Sequence, residues 1–215
     1  MAMIGDSAID MEPVETENLG SLAALILSEL PACDDLLIRQ KLGYALREFC
    51  RETDACIVEH KFKPEDIQEK WNGVAAVRMF GAPSGMVVGK VLEVCTFTGR
   101  EIPFEVVEDM AGPMLVFKAY IGSLDTVFVK FSVYPKAGGE ACPKRFKERY
   151  AEAITAGAMY HLLTMYGRGW SDAQRAAQYA ATYQNAIAEA AYGRICGGAA
   201  GSGSPNVIPQ GGLFM

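Results

Sequence analysis

PKRFKERYAEAITAGAMYHLLTMYG, residues 143–167, predicts one long helix, because apolar residues recur along it at three- or four-residue spacing. The sequence breaks at 167–170, GRGW, and resumes at Ser171, where Gln174 three positions on predicts a capping box. A second helix follows, and its stripe of small residues favours close packing on a neighbouring helix. The two segments predict a helical hairpin whose apolar faces are Phe146, Tyr150, Ile154, Gly157, His161 and Met165, then Ala173, Ala176, Ala177, Ala180, Tyr183, Ile187, Ala190 and Ala191.

Two more helices are predicted upstream, in the segment 19–54. A short one ends at Pro31, and a longer one begins at Asp34 or Asp35, either of which can cap it. Their apolar stripes are Leu22, Leu25, Ile26 and Leu30, then Ile38, Leu42, Ala45, Leu46 and Phe49. Segments 19–54 and 143–195 together predict a helical domain, a bundle of about four helices.

The segment 55–142 between these helices predicts a β domain, because β-branched and aromatic residues increase and Gly or Pro recurs at short intervals. The clearest strand is 124–134; others are predicted at 86–97, with Gly89 as a bulge, at 102–107 and at 114–121. The gaps are too short for parallel crossovers. We therefore predict an α+β fold in which an antiparallel sandwich or small barrel is inserted into the helical bundle.

Both ends differ in composition from the rest. Residues 1–18 contain five acidic and no basic side chains, which predicts a loosely ordered acidic arm. Residues 196–215 carry no charge and are rich in glycine, which predicts an extended C-terminal tail. This tail is a poor solubilising segment and is expected to dock on another subunit through the apolar residues Val207, Ile208, Leu213, Phe214 and Met215.

The overall composition excludes several classes of protein. The chain has 215 residues and a formal net charge of −6, which disfavours a surface that neutralises many phosphates. Its six cysteines form no CxxC pair, so zinc spacing is absent and we expect reduced thiols in the cytosol. Neither a signal peptide nor a membrane-spanning segment is indicated.

No catalytic motif appears in the sequence, and we expect no cofactor and no metal. Cys56 and His60 lie four positions apart on one predicted strand, roughly 13 Å from each other, which is too far for proton transfer. His161 falls on the apolar stripe of a helix, where a hydrogen-bonded core histidine is the expected role. The one basic cluster, at Lys144, Arg145, Lys147 and Arg149, indicates an acidic partner surface, for example the acidic arm of a neighbouring copy.

Residues 30–55 and 129–187 contain four recognisable features: an acid-capped helix ending in REFCRxT, a strand ending in proline, a helix with EAIxxGA, and a WSD turn before a helix with spaced tyrosines. In these features the two helical ends resemble the head-to-tail adaptor proteins of tailed bacteriophages, also called head completion or connector proteins. These features cover about half of the chain, and the central strands match only in general layout.

This resemblance implies a non-enzymatic ring, typically of 12 copies, at the head–tail junction of the virion, assembled in the host cytoplasm. The implied partners are further copies of the chain, the portal protein and a tail or nozzle protein, with DNA passing through the lumen without sequence-specific binding. Two alternatives remain at the level of sequence. One is a tail-completion or stopper ring of the same particle, and the other is a small cytosolic enzyme that uses Cys56, His60 or His161.

Overall fold

The computed structural model describes residues 15–63, 67, 69–71, 74–78, 82–109, 112–119 and 126–197. Most of the predicted acidic arm, residues 1–14, and the predicted tail beyond residue 197 lie outside these ranges, including Val207, Ile208, Leu213, Phe214 and Met215. The described residues form an α+β fold, as predicted. Its helices are α1 Gly20–Glu29, α2 Asp35–Thr53, α3 Lys144–Leu163 and α4 Ala173–Gly197.

The strands pair in antiparallel fashion throughout the described ranges. They are β1 Thr16–Glu17, β2 Ile57–Phe62, β3 Glu69–Trp71, β4 Val74–Arg78, β5 Met86–Thr96, β6 Phe104–Asp109, β7 Gly112–Phe117, β8 Val127–Pro135 and β9 Cys142–Pro143. Three sheets result, with the orders β2-β8-β5, β3-β4-β7-β6 and β1-β9. The register shifts in β5 around Gly89 confirm the predicted bulge.

Helix caps confirm one prediction and correct another. Asp34 caps α2 by accepting a hydrogen bond from the Leu36 amide at 2.7 Å. The predicted cap of α4 at Ser171 is wrong, because the Asp172 carboxylate accepts from the amides of the next helical turn, both at 3.0 Å. The Ser171 hydroxyl instead donates to the Met165 carbonyl and closes the turn between α3 and α4.

The first helix of the hairpin is not continuous, although its pattern predicts one smooth helix. Tyr150 has φ −118° and ψ 17°, which is outside the helical region, so α3 is kinked after its first two turns. The aromatic ring of Tyr150 lies 4.9 Å from that of Phe49 in α2 and 4.7 Å from that of Phe146. The kink thus places Tyr150 between α2 and the first turn of its own helix.

One hydrophobic core joins the helices to the three-stranded sheet. Helix α2 contacts α1, α3, α4 and strand β8, so it lies at the centre of the fold. Along β8 alternate residues are buried, and they meet the buried stripe of α2 in the same cluster. The members of this cluster on β8 are Val127, Val129, Phe131 and Val133, and those on α2 include Ile38, Leu42, Leu46 and Phe49.

Candidate interaction site

The basic cluster at the start of α3 binds the acidic arm of its own chain. Strand β1 pairs with β9, and the Lys144 amide donates to the Glu15 carbonyl at 2.9 Å. The ammonium groups of Lys144 and Lys147 lie 3.4 and 3.0 Å from the carboxylates of Glu15 and Glu17 respectively. Lys147 also donates to the Asn18 carbonyl at 3.0 Å. We call this arrangement the clasp.

The clasp changes what the basic cluster offers to a partner. Hydrogen bonding to Lys147 lowers the pKa of Glu17, so that pair is charged on both sides at neutral pH. Two of the predicted interface residues, Lys144 and Lys147, therefore have their acidic counterpart within the same chain. The third, Arg145, is exposed beside them.

A groove runs from the clasp towards the end of α4. Three adjoining cavities of about 640, 480 and 520 Å³ share Arg149 and Tyr150 on their walls. The first two also share Ala55 and Ile57, and the last two share Ala190 of α4. The groove thus follows the kink of α3, passes the start of β2 and reaches the last turns of α4. We call the three cavities together the α3–β2 groove.

The first residue of strand β2, Ile57, lines this groove, and β2 is an edge of its sheet. Because the Val133 amide donates to the Cys56 carbonyl, the hydrogen-bonded pairs with β8 fall at every second residue from Cys56. The backbone amides and carbonyls of Ile57, Glu59 and Lys61 therefore point away from β8. Within the described ranges no strand pairs with this edge.

The outward face of α4 is almost without charge. Twelve of its residues from 173 to 194 are exposed, and Glu189 is the one charged side chain among them. Exposed faces of soluble proteins usually have about a quarter to a third charged residues. This α4 face consists of Ala173, Gln174, Ala177, Gln178, Ala181, Thr182, Gln184, Asn185, Ala188, Glu189, Tyr192 and Gly193.

A buried polar network joins α2 to the three-stranded sheet. Asp54 ends α2 in the left-handed conformation, with φ 49°. Its carboxylate accepts from the Ser132 hydroxyl at 3.1 Å and from the Lys90 ammonium at 2.9 Å. The Ser132 hydroxyl in turn accepts from the Lys90 amide at 2.9 Å, next to the bulge of β5. The network satisfies the hydrogen-bonding groups of the buried Asp54 and Ser132 side chains.

The histidines and thiols of the enzyme hypothesis are distributed over the core. His161 lies 3.2 Å from the Glu48 carboxylate and makes an edge contact with Tyr44, so it connects α3 to α2. His60 is buried on β2, with its ring 4.3 Å from that of Phe62. Cys56 is buried at the start of β2. These contacts place His161 on the helical side of the core and the other two residues on the sheet side.

Buried thiols near Cys56 are held protonated. The pKa of Cys50 is raised well above its usual range, mainly by a hydrogen bond with Cys56 and secondly by burial. Burial raises the pKa of Cys142 to about 12. A thiol needs to ionise to act as a nucleophile or a metal ligand, so neither group is activated.

Two absences hold for the described residues. They contain no group of three or more His, Cys, Asp or Glu side chains placed to hold a metal ion. The same part of the chain has no helix long and apolar enough to cross a membrane.

The α3–β2 groove was missed by sequence reasoning, although one signal was available. Ile57 stands at an outward position of β2, where Glu59 and Lys61 follow at the next outward positions, and its side chain is 45% exposed. A single exposed apolar residue is common on soluble proteins, so Ile57 alone could not identify the groove. The kink at Tyr150 had no sequence signal, because neither Pro nor a pair of small residues marks it.

No protein-family model matches the chain, and no curated protein matches it at a significant level.

Proposed function

We propose that this protein is a structural virion protein, a head-to-tail adaptor that forms a ring between the portal and the tail. Neighbouring copies contact one another through the outward face of α4, and DNA passes through the lumen of the ring. The resemblance of residues 30–55 and 129–187 to phage adaptors supports the family, a ring of 12 copies, and a portal protein and a tail or nozzle protein as partners. The place of action is the head–tail junction, after assembly in the host cytoplasm.

The observation that carries this proposal is the nearly uncharged outward face of α4. Helix α4 has 25 residues, and at 1.5 Å per residue it extends for about 37 Å. The fully buried parts of protein interfaces are depleted of charge, and small side chains allow two helices to approach closely. In the ring, this face of one copy packs on a different surface of the next copy, because heterologous side-to-side contacts are the ones that close into rings.

The negative net charge of the chain supports the proposal that DNA passes through the lumen of the ring. A net charge of −6 repels the phosphate backbone, so DNA can slide past without being retained. The exposed Arg145 remains available for an acidic surface of the portal or tail partner.

The proposal is tested by size-exclusion chromatography with light scattering of the full-length protein mixed with the portal protein of the same virus. We expect the two to co-elute at the mass of a complete ring on its platform. The protein alone can be a monomer without contradicting the proposal, because the platform supplies the template for closure. If the wild-type chain never co-elutes at any concentration, the proposal is wrong.

A matched pair of variants locates the contact. Ala181→Arg places a large cation in the centre of the α4 face, and we expect it to prevent assembly while the monomer stays folded, because Ala181 is exposed. Gln40→Arg makes the same change in charge at an exposed position of α2 and should assemble normally. Equal assembly of the two variants would exclude α4 as the ring contact.

A further inference from the structure

We propose that the first two cavities of the α3–β2 groove seat residues 1–14, the part of the acidic arm that precedes the clasp, through ion pairs of Glu12 with Arg149 and of Asp10 with Arg194. This inference concerns the isolated chain and does not depend on ring assembly, so it and the proposed adaptor function can fail separately.

Two arginine side chains in the second cavity lack an acidic partner among the described residues. Arg149 and Arg194 both line this cavity, and neither forms an ion pair with a described carboxylate. The Arg194 side chain is half-buried, and its Nε atom is buried without a hydrogen-bond partner. The Arg149 guanidinium lies over the Tyr150 ring, 5.3 Å from its centroid. Buried donors without an acceptor are costly, so the cavity favours an occupant that brings carboxylates.

The charge of the groove also favours an acidic occupant in its first two cavities. Glu15 pairs there with Lys144 at 3.4 Å, and Glu93 pairs with Lys130 at 2.8 Å. The charged side chains that remain are three cations and one anion, Arg145, Arg149, Arg194 and Glu148. The third cavity has the opposite balance, because Glu152 and Glu189 line it together with Arg149. An acidic segment is therefore expected in the first two cavities and not in the third.

The clasp directs the arm towards these cavities. Strand β1 is antiparallel to β9, and the Lys144 amide donates to the Glu15 carbonyl, so this register points the residues before Glu15 along the first turns of α3. Glu15 itself lines the first cavity, which adjoins the second at Arg149. Pro13 favours an extended conformation in the residue before it. The chain before Glu15 therefore enters the groove at the clasp.

Residues 1–14 have the composition and the reach that this seat requires. They contain three acidic side chains and no Lys or Arg. In an extended segment at about 3.3 Å per residue, Glu12 and Asp10 lie roughly 10 and 16 Å beyond Glu15. Arg149 lies about 8 Å along α3 from its first residue, at 1.5 Å per residue, so Glu12 can reach it. Asp10 is on the same side of the extended segment as Glu12 and reaches further, towards Arg194.

The experiment measures backbone order parameters by NMR relaxation in the full-length chain at low protein and salt concentration. In the wild type we expect the amides of Asp10 and Glu12 to have values above about 0.6, the level below which a backbone is flexible. Values below that level would overturn the proposal. Order that appears only as the protein concentration rises would also overturn it, because the arm would then occupy a second copy.

A charge swap identifies the first ion pair. Arg149→Glu should release the arm and lower its order parameters below about 0.6, and adding Glu12→Arg should restore them. Arg168→Glu is the matched control, because this exposed arginine lies beyond the opposite end of α3, and it should leave the arm ordered. Thr16 of the clasp should stay ordered in every variant. Equal order of the arm in Arg149→Glu and Arg168→Glu, or no recovery in the double variant, would refute the groove as the seat.

A separate variant tests the far end of the seat. Arg194→Gln removes the cation but keeps a polar side chain, and it should lower the order parameter of Asp10 more than that of Glu12. An unchanged value at Asp10 would show that the arm does not reach the second cavity and would contradict the proposal.

Discussion

Gly157 is the residue of α3 against which the Tyr183 ring of α4 packs. A Cβ atom built there would lie 2.7 Å from Cε2 of Tyr183, whose ring is buried. That ring cannot move away easily, because the Tyr183 hydroxyl donates to the Ala45 carbonyl of α2 at 2.8 Å. The absence of a side chain at Gly157 therefore allows the Tyr183 side chain of α4 to contact both α3 and α2.

Gly157→Ala is expected to destabilise the protein by about 1–3 kcal/mol, because the added methyl group overpacks the contact with Tyr183. The control is Gly193→Ala in α4, where an added Cβ meets nothing within 4 Å. Alanine favours the helix there, so this variant should be neutral or up to about 1 kcal/mol more stable. Urea unfolding followed by circular dichroism gives both values, and a Gly157→Ala chain as stable as the wild type would contradict the close contact.

Residue-level prediction from sequence succeeded where periodicity decides burial. Gly157 and Tyr183 both stood on the predicted apolar faces, and both are buried as expected. Periodicity could not reveal the left-handed conformation of Asp54 or its bond to Ser132, since these depend on residues far apart in the chain. The prediction that Ser171 caps α4 was wrong because Ser171 and Asp172 are adjacent and either could cap the helix. The Asp172 carboxylate is the group that does so.

At the scale of elements, the clasp is the feature that the composition of the arm did not predict. Residues 1–18 read as loosely ordered, yet Thr16–Glu17 forms a strand with Cys142–Pro143. A pair of two-residue strands has no periodicity to detect, and its partners are distant in sequence. Longer elements with a strong pattern, α2, α4 and β8 above all, were predicted close to their bounds.

Lys147→Gln is expected to loosen the clasp, because Glu17 loses the partner that lowers its pKa. Limited digestion with a Glu-specific protease should then cut faster at Glu15 and Glu17. Arg145→Gln removes a neighbouring exposed cation and should leave the digestion rate unchanged. The same clasp should weaken in acid: its contribution is present above the unfolded pKa of Glu17, and is lost as the pH falls through the lower folded pKa. Equal digestion of the two variants at neutral pH would contradict the ion pair.

At the scale of the whole molecule, the helices and the three-stranded sheet share one core, and several cysteine thiols and tyrosine hydroxyls lie in it or against it. Burial raises the pKa of Cys142, Tyr150 and Tyr183, and a hydrogen bond with Cys56 together with burial raises that of Cys50. A group whose folded pKa is raised contributes stability below its unfolded pKa. That contribution is lost as the pH rises towards the folded value.

Stability is therefore expected to be constant up to about pH 9 and to fall above it, because the unfolded chain releases these protons first. Each such group contributes a slope of up to about 1.4 kcal/mol per pH unit. Cys142→Ala should reduce the slope by up to that amount, whereas Cys95→Ala, at a less buried position, should leave most of it. Urea midpoints from pH 7 to 11 measure the slope. An equal slope in Cys142→Ala and the wild type would show that this thiol ionises freely in the folded protein.

The clasp also determines the path along which a force applied to the N-terminal arm is transmitted through the molecule. Because Thr16 is paired with Pro143 at the first turn of α3, a pull on the N-terminal arm reaches α3 directly and continues into α4, which lies along it. A force applied at Thr16 is therefore passed to the start of α3 without first running through α1 and α2.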